Sequence, residues 1–575
     1  MNSTTSCIHA SDSSTGLRLP IPIHRETQPC RFRGEAPPAR NAAYRTVGSG
    51  LLERPAWTTI PKHSIIDLPL DILRLVFDYL DDPLGDYCSQ GLRDIGNARL
   101  VCHAFNETAS PFLFRTLRVS LDEKSLDFAA KVSLNPLFAN GVRNILVRLA
   151  YRPKELAADL PTFARSRLEK LDELSGACHL MIARYRMMGG PRVSDPKACS
   201  LISQCEDAVN EAYYLSRAWQ SVATPAARES PDILADKRYI AGLSLIREGH
   251  NRYKLEREKQ CRLIEEGTFS RCMVEIMKRL PKSIGLVFDD SCAPSPDPWT
   301  SLTDTTNIAD MVIQPDRWES IECLERVAPG PMLPAKIFWQ LPIELRAAGQ
   351  PLKRLHISCF PSRGDLSVLC PSSDSGLYAL RQAYSQLEEI KFGEKFKSWN
   401  RQNDQSFRLQ DQVEVHLNSF LGAVLSSPRL RYADINLCGF GLAEGVNVFY
   451  PADPLVDAIQ SRTLKQIRLG DVSLSANRLE KLWSLLDKGL SNLVLSSIYL
   501  DSENWCGTRD LIIKRFSSCY LNSQCYLCFE KLATGAYGVF DLEIMRDPRI
   551  QTSKRFVSEN LIIDANDNVL HTREY

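Results

Sequence analysis

The sequence predicts an α/β protein with an N-terminal helical module, a repeating body of parallel strands and helices, and a large helical insertion. Three observations support this class. Apolar residues recur at helical spacing near residue 70, longer helical stripes fill the middle of the chain, and strand-like L-x-x-L-x-L segments recur after residue 280. The predicted divisions are a disordered arm at 1–60, the helical module at 64–116, the start of the repeat body at 117–154, the helical insertion at 155–280, the main repeat region at 281–500 and a C-terminal cap at 501–575.

The N-terminal arm is rich in Ser, Thr, Pro and Arg and shows no lasting hydrophobic period. Such a segment cannot bury enough apolar surface to offset its lost chain entropy, so we expect it to be disordered. Arg31, Arg33, Arg40 and Arg45 could bind an acidic partner, although solvated arginines in a tail explain them as well.

Two apolar stripes define the helical module. Pro69 suits the first turn of a helix, where a missing N–H costs nothing, and Asp71 lies near the positive end of the helix dipole. A short third turn begins at Pro111 and presents Leu113 and Phe114. The first stripe consists of Ile72, Leu73, Val76, Phe77 and Leu80, and the second of Ile95, Ala98, Val101, Cys102 and Phe105.

A module of this size has more apolar surface than it can hide. Three short helices cannot bury both stripes against each other, because so small a domain has too little interior. Part of this surface is therefore expected to contact another part of the chain or a second protein. A helical hairpin that caps the following domain is the alternative interpretation.

In chain order, Leu68-Pro69, Val101-Cys102 and Leu113-Phe114-Arg115 resemble the F-box, a helical module that docks proteins onto Skp1. The resemblance implies a substrate adaptor of an SCF (Skp1–cullin–F-box) ubiquitin ligase. Such an adaptor would reach the cullin through a Skp1-like protein and would have no catalytic, cofactor-binding or metal-binding residue of its own. The segment between the two stripes is longer than in compact F-boxes, and residues 81–86 predict a surface loop there.

The resemblance also implies which residues face Skp1. In F-boxes these are the leading Leu-Pro pair and apolar residues of both helices. Some of the corresponding positions are expected to belong to the internal core, and the sequence does not separate the two sets. The corresponding residues here are Leu68, Pro69, Ile72, Leu73, Val76, Val101, Cys102 and Phe105.

Strand signals begin directly after the module. Residues 116–121 alternate between apolar and polar side chains, and residues 142–147 fit as a degraded copy of the repeated strand. A further copy is predicted at 281–288, in the form Pro281-x-x-Ile284-x-Leu286-x-Phe288. The helical periodicity between these two copies predicts long amphipathic helices inserted into the repeat body.

The repeated strand signature is the second informative feature. Helical stripes separate its copies, so strand and helix alternate as in a leucine-rich-repeat solenoid. The spacing is uneven, and the Asn that normally follows the strand is absent, with Cys438 as the one plausible substitute. An ordinary α/β domain with parallel strands is the alternative. The copies are Leu352–Ile357, Leu387–Phe392, Leu464–Leu469 and Leu490–Leu495, with a looser copy at Leu430–Leu437.

Together, the two halves resemble fungal-type F-box proteins with irregular leucine-rich repeats. In that architecture the parallel strands line a face on which the residues between the apolar positions point outward. The resemblance implies that this face binds a protein substrate, whose identity the sequence leaves open. The candidate contact residues are Lys353, Arg354, His356, Glu388, Lys391, Lys465, Gln466 and Arg468.

Composition excludes several other classes. The chain has 70 Lys and Arg against 69 Asp and Glu, so nothing global favours nucleic acid or an anionic membrane as a partner. No apolar run is long enough to span a membrane, and the N-terminus lacks a secretory signal pattern. The 18 cysteines have no regular spacing and are expected to be reduced. We therefore expect an intracellular protein, in the cytoplasm or the nucleus.

Two patterns raise the question of a metal or catalytic site. Cys525-x-x-Cys528, near Cys506 and Cys519, lacks the second pair of ligands that a structural zinc usually has. Asp289-Asp290 follow a strand, as metal-binding carboxylates do in some α/β enzymes. They keep open a rival hypothesis, an enzyme with a site at 280–500. A second rival is a Skp1-binding scaffold that works outside a ubiquitin ligase.

Overall fold

A computed structural model of the chain combines many helices with a long, mainly parallel sheet. The predicted arm at 1–60 and the predicted loop at 81–86 lie outside the residues that it describes. The structure describes residues 65, 68–80, 88–188, 196–224, 236–281, 285–291, 305–318, 332–361, 366–393, 411–437, 449–486 and 489–501, and the strands at 526–534, 538–543, 561–563 and 569–572.

The helices are α1 Leu70–Leu80, α2 Cys88–Ala98, α3 His103–Ala109, α4 Glu123–Leu134, α5 Pro136–Ala139, α6 Lys154–Ala158, α7 Leu160–Met188, α8 Pro196–Ala223, α9 Lys237–Glu265, α10 Thr268–Lys278, α11 Thr305–Ile313, α12 Ile337–Ala347, α13 Asp374–Tyr384, α14 Asp411–Leu425, α15 Asp453–Ala458 and α16 Ala476–Leu486. Short 3-10 helices span Ser110–Phe112, Leu333–Lys336 and Leu366–Leu369. Among the described ranges, no helix is both long and apolar enough to cross a lipid bilayer.

The strands are β1 Thr116–Ser120, β2 Asn144–Arg148, β3 Gly285–Asp289, β4 Arg354–Ile357, β5 Glu389–Phe392, β6 Tyr432–Asn436, β7 Tyr450–Pro451, β8 Gln466–Ser475, β9 Asn492–Asp501, β10 Tyr526–Thr534, β11 Gly538–Glu543, β12 Leu561–Ile563 and β13 Val569–Thr572. The main sheet follows the chain, in the order β1-β2-β3-β4-β5-β6-β8-β9-β10-β11, and neighbours up to β10 are parallel. β11 is antiparallel to β10, β7 lies beside β8, and β12 pairs with β13. The predicted α/β class is confirmed.

The first three helices form a small bundle with its own core. The Pro69 carbonyl accepts the Leu73 N–H at 3.1 Å, so α1 begins where the missing proline N–H has no cost. Leu73 and Phe77 lie one helical turn apart and face inward, and the Phe77 ring meets Phe105 edge to face at 5.7 Å. The buried core residues are Leu73, Phe77, Ile95, Phe105 and Ala109.

The prediction that the second stripe, from Ile95 to Phe105, lies on a single helix is wrong. α2 ends at Ala98, and the Val101 N–H donates to the Ala98 carbonyl at 3.0 Å in a turn. Cys102 then has an extended backbone and precedes α3. Because the chain leaves the helix between Ala98 and Cys102, Val101 projects from a turn and not from a helix side.

The strands align so that the apolar positions of the repeat form continuous buried rows. In the copy at 281–288, Leu286 pairs with Ile145 and Phe288 with Val147. One row is Ile145, Leu286, Leu355, Ile390, Ala433, Ile467 and Leu493, and the next is Val147, Phe288, Ile357, Phe392, Ile435, Leu469 and Leu495.

Helices between the strands pack against these rows. Phe338 of α12 stacks on Phe360, with ring centroids 5.7 Å apart, and meets Phe288 of β3 edge to face at 5.0 Å. The buried Tyr384 hydroxyl donates to the Phe338 carbonyl at 2.8 Å, so its polar atom is satisfied inside the core. This core runs from β1 to β9.

Helices α6 to α9, between β2 and β3, form a second core together with α11, which follows β3. A buried ion cluster ties this core to the chain after β2. Arg167 and Lys170 of α7 contact the Asp316 carboxylate at 2.6 and 2.7 Å, and the Tyr253 hydroxyl donates to it at 3.1 Å. The Asp316 N–H donates to the Tyr151 carbonyl at 2.8 Å. Burial alone would raise the pKa of Asp316, but the two cations outweigh it and hold this pKa at about 2.

Candidate functional site

The first candidate site is an exposed apolar surface on α1, named here the α1 face. At 100° per residue, α1 has three sides. Leu73 and Phe77 point into the bundle, and Asp71, Arg74 and Asp78 form a polar side. The α1 face is the third side and consists of Ile72, Leu75, Val76, Tyr79 and Leu80, all exposed.

The structure separates the residues that the sequence could not divide. Leu73 and Phe105 are 1% and 7% exposed, because α1 and α3 bury them against each other, so they belong to the bundle core. Cys102 is half-buried. The remaining members of the predicted Skp1-binding set are exposed, namely Leu68, Pro69, Ile72, Val76 and Val101.

Leu75 and Tyr79 belong to the α1 face but were missed by the sequence analysis, although both are exposed. Tyr79 is among the most exposed large apolar side chains of the described chain. The available signal was the apolar content of α1 outside its inward stripe, because an ordinary surface helix is polar there. Leu100 precedes Val101 in the turn after α2, and its side chain is also exposed.

Polar anchors fix α1 at the start of the sheet. Asp78, on the polar side of α1, pairs with Arg115, whose guanidinium group also lies 4.7 Å from the Phe112 ring centroid. Arg115 directly precedes β1, and its carbonyl accepts the N–H groups of Arg143 and Asn144 at 2.8 and 3.0 Å. The bundle is therefore joined to the first strands through named polar contacts.

The second candidate site is the outward side of the parallel strands, named here the strand face. Its residues alternate with the buried rows, and neighbours on adjacent strands are about 4.8 Å apart. Of the predicted substrate contacts, Arg354, His356, Lys391, Gln466 and Arg468 lie on it. The full strand face from β4 to β9 is Arg354, His356, Glu389, Lys391, Tyr432, Asp434, Gln466, Arg468, Asn492 and Val494.

The register brings three predicted residues into one row. His356 pairs with Lys391, Lys391 with Asp434, and Asp434 with Arg468. Asp434 was missed because its copy of the repeat is irregular, with alanine at a leucine position. This row places cations on both sides of one carboxylate, which suits contact with a partner of mixed charge.

The other predicted contacts lie one residue before each strand, in what we call the strand-start row. The Lys353 carbonyl accepts the Glu388 N–H, the Glu388 carbonyl accepts the Arg431 N–H, and the Arg431 carbonyl accepts the Lys465 N–H, each at 2.8 Å. The Lys465 carbonyl accepts the Ser491 N–H at 2.9 Å. Lys353, Glu388 and Lys465 therefore occupy equivalent positions of successive repeats.

Asp289 and Asp290, the residues behind the enzyme hypothesis, serve as hydrogen-bond acceptors at the end of β3. The Ser358 hydroxyl donates to Asp289 at 3.2 Å, and the Trp318 N–H donates to Asp290 at 3.0 Å. Burial raises the pKa of Asp290, and the neighbouring Asp289 charge raises it further. Within the described residues, no three His, Cys, Asp or Glu side chains are placed to hold a metal ion. Cys506, Cys519 and Cys525 lie outside those residues, and only the backbone of Cys528 is described, in β10.

Comparison with known proteins adds no family to this geometry. No protein-family model matches the chain, and no curated protein matches its sequence. The α1 face and the strand face are therefore the features that bear on function.

Proposed function

We propose that this protein is an F-box substrate adaptor of an SCF-type ubiquitin ligase. The bundle of α1 to α3 binds a Skp1-like protein, which connects it to a cullin, and the repeat body binds a protein substrate. The exposed α1 face carries this proposal, because a helix on a protein surface is ordinarily polar on the side that faces water, whereas α1 has a second apolar side there.

The energetics of the α1 face favour a partner protein. Covering a large apolar side chain contributes about 1.5–3 kcal/mol relative to leaving it in water. Ile72, Leu75, Val76 and Tyr79 lie within one side of a helix of three turns, so one groove can cover them together. The internal bundle core is small, and a partner would extend it from the outside.

The order of the sheet supports the proposed repeat body. Successive strands join in chain order and in parallel, which is the arrangement of a leucine-rich-repeat solenoid. A doubly wound α/β enzyme instead reverses strand order and places its ligand at the reversal. We therefore favour irregular leucine-rich repeats, with the strand face as the surface for a protein substrate.

The proposed mechanism is proximity. A substrate bound to the strand face would be held near the ubiquitin-loaded enzyme that the cullin recruits. Tethering raises the effective concentration of the substrate's lysines at that enzyme, while the bond chemistry takes place on other subunits.

A matched pair of substitutions tests the docking proposal. Val101→Asp places a carboxylate on a side chain that is 67% exposed, and Leu134→Asp does the same at a position on α4 that is 65% exposed. Neither change should affect folding. At the docking surface, however, an unpaired buried carboxylate costs several kcal/mol. We expect Val101→Asp to abolish capture of a Skp1-like protein in a pull-down with the full chain, and Leu134→Asp to retain it.

Equal capture by both variants would contradict the proposed interface. The cullin then separates the adaptor from a scaffold that binds Skp1 for another purpose. Purification from cells should yield the cullin together with the Skp1-like protein and this chain. A complex that contains the Skp1-like protein but never the cullin would replace the adaptor by the scaffold.

A further inference from the structure

A basic cavity of about 570 Å³ lies at the edge of the sheet where β6 and β8 begin. Arg429 and Arg431 reach it from the segment after α14, and Arg462 and Lys465 from the segment after α15. The cavity volume is in the range that holds a compact small molecule. Glu388 supplies the carboxylate of its lining, and Thr463, Leu464 and Gly489 complete the described lining.

The positive charge of this cavity is largely uncompensated inside the described chain. None of the ion pairs among the described residues includes Arg429, Arg431, Arg462 or Lys465. The Glu388 carboxylate instead approaches the Lys353 ammonium group at 3.7 Å, on the side of the preceding repeat. The four cationic residues are solvent-exposed, so water and salt weaken their mutual repulsion, and a bound anion would be attracted to all of them.

Hydrogen bonds hold the backbone segments that carry these cations. The Arg431 carbonyl accepts the Lys465 N–H at 2.8 Å, so the two side chains start from adjacent rungs of the sheet edge. The Ser427 hydroxyl donates to the Leu387 carbonyl at 2.8 Å, and the Ser461 hydroxyl donates to the Leu430 carbonyl at 2.6 Å. Both segments that supply the arginines are therefore held to the previous repeat, which lowers the entropy that binding must overcome.

The chemistry of the lining selects phosphate groups. A guanidinium group offers parallel N–H donors that match two oxygens of a phosphoryl group, and three of the four cations are arginines. A phosphoryl group carries about −1.5 to −2 charges near neutral pH, so about two of them would balance four cations and one carboxylate. We infer that this cavity binds a compact ligand with two or more phosphoryl groups. The inference does not depend on the proposed adaptor function.

The experiment measures binding of inorganic pyrophosphate to the full chain by calorimetry, with sodium chloride at equal ionic strength as the reference. We expect saturable pyrophosphate binding and a raised melting temperature, neither of which chloride reproduces. Arg431→Gln/Arg462→Gln should weaken binding by about tenfold or more, because charged hydrogen bonds are lost. The control Arg346→Gln/Arg381→Gln removes two exposed helix arginines outside the cavity and should leave the affinity unchanged.

Each outcome bears on the inference. Absence of pyrophosphate binding beyond the chloride reference, or equal losses in both double variants, would overturn it. Binding of a phosphoserine peptide without binding of pyrophosphate would also overturn the assignment to a small ligand. Phosphatidylcholine vesicles with and without a phosphatidylinositol bisphosphate identify the source. Variant-sensitive vesicle capture would assign a lipid headgroup, and binding of soluble pyrophosphate alone would assign a free metabolite.

Discussion

At the residue scale, Asp316 shows how one side chain joins two parts of the fold. Its carboxylate is buried, yet it accepts from Arg167 and Tyr253, which lie on different insertion helices. Sequence analysis could not find this cluster, because the partners are 149 and 63 residues away and nothing local links them. By contrast, the alternation within each repeated strand was enough to identify outward residues such as Arg354 and Lys391.

Removing the Asp316 charge should destabilise the insertion. We expect Asp316→Asn to cost about 3–5 kcal/mol, because the buried Arg167 and the half-buried Lys170 would lose their counter-charge. The control Asp71→Asn breaks an exposed ion pair with Arg74 and should cost at most about 1 kcal/mol. Urea unfolding of the full chain measures both. Equal stability of the two variants would contradict the role given to the cluster.

The same cluster predicts an acid transition. Because the pKa of folded Asp316 is about 2, below the usual 3.8, its stabilisation is present above the usual pKa. It is then lost as the pH falls towards 2 and the carboxylate takes up a proton. Helices α7 and α9 should therefore lose amide-exchange protection in this acid range. In Asp316→Asn this pH-dependent loss should be much smaller, and an unchanged pH profile would argue against the assignment.

At the element scale, α1 divides its apolar residues between two tasks. Leu73 and Phe77 hold the bundle together, whereas Ile72 and Val76 face outward. The sequence predicted this helix and identified its apolar residues. It could not separate the buried side from the exposed side, because both sides are apolar. It also continued the second helix through Val101, where the structure has a turn. The exposed apolar side of α1 was therefore predicted in outline, with Leu75 and Tyr79 missing.

Adjacent residues of α1 provide a test of this division. Leu73→Ala should destabilise the bundle by about 2–5 kcal/mol through a cavity in its core. Ile72→Ala should change stability by about 0.5 kcal/mol or less, since its side chain is exposed. Only the second variant should weaken binding of a Skp1-like protein while amide exchange in α1 stays normal. Similar destabilisation by both changes would contradict the assignment of sides.

At the scale of the whole molecule, one long sheet runs from the bundle of α1 to α3 through the strands of the strand face. The repeat signature predicted the buried rows correctly, including the irregular copy whose Ala433 and Ile435 are buried. It also identified the copy near β3, whose Leu286 and Phe288 are buried in these rows. The basic cavity could not be predicted at all. Its arginines come from two repeats, and only the register of β6 against β8 brings them together.

The central claim is that the exposed apolar side of α1 is covered by a Skp1-like protein. Hydrogen–deuterium exchange of the full chain, with and without that protein, tests it most directly. We expect slower exchange on binding at residues 68–80 and in the turn at 99–102, and little change in β4 to β9. A stable complex that protects the strands but leaves α1 unchanged, or the failure of any complex to form, would contradict the claim.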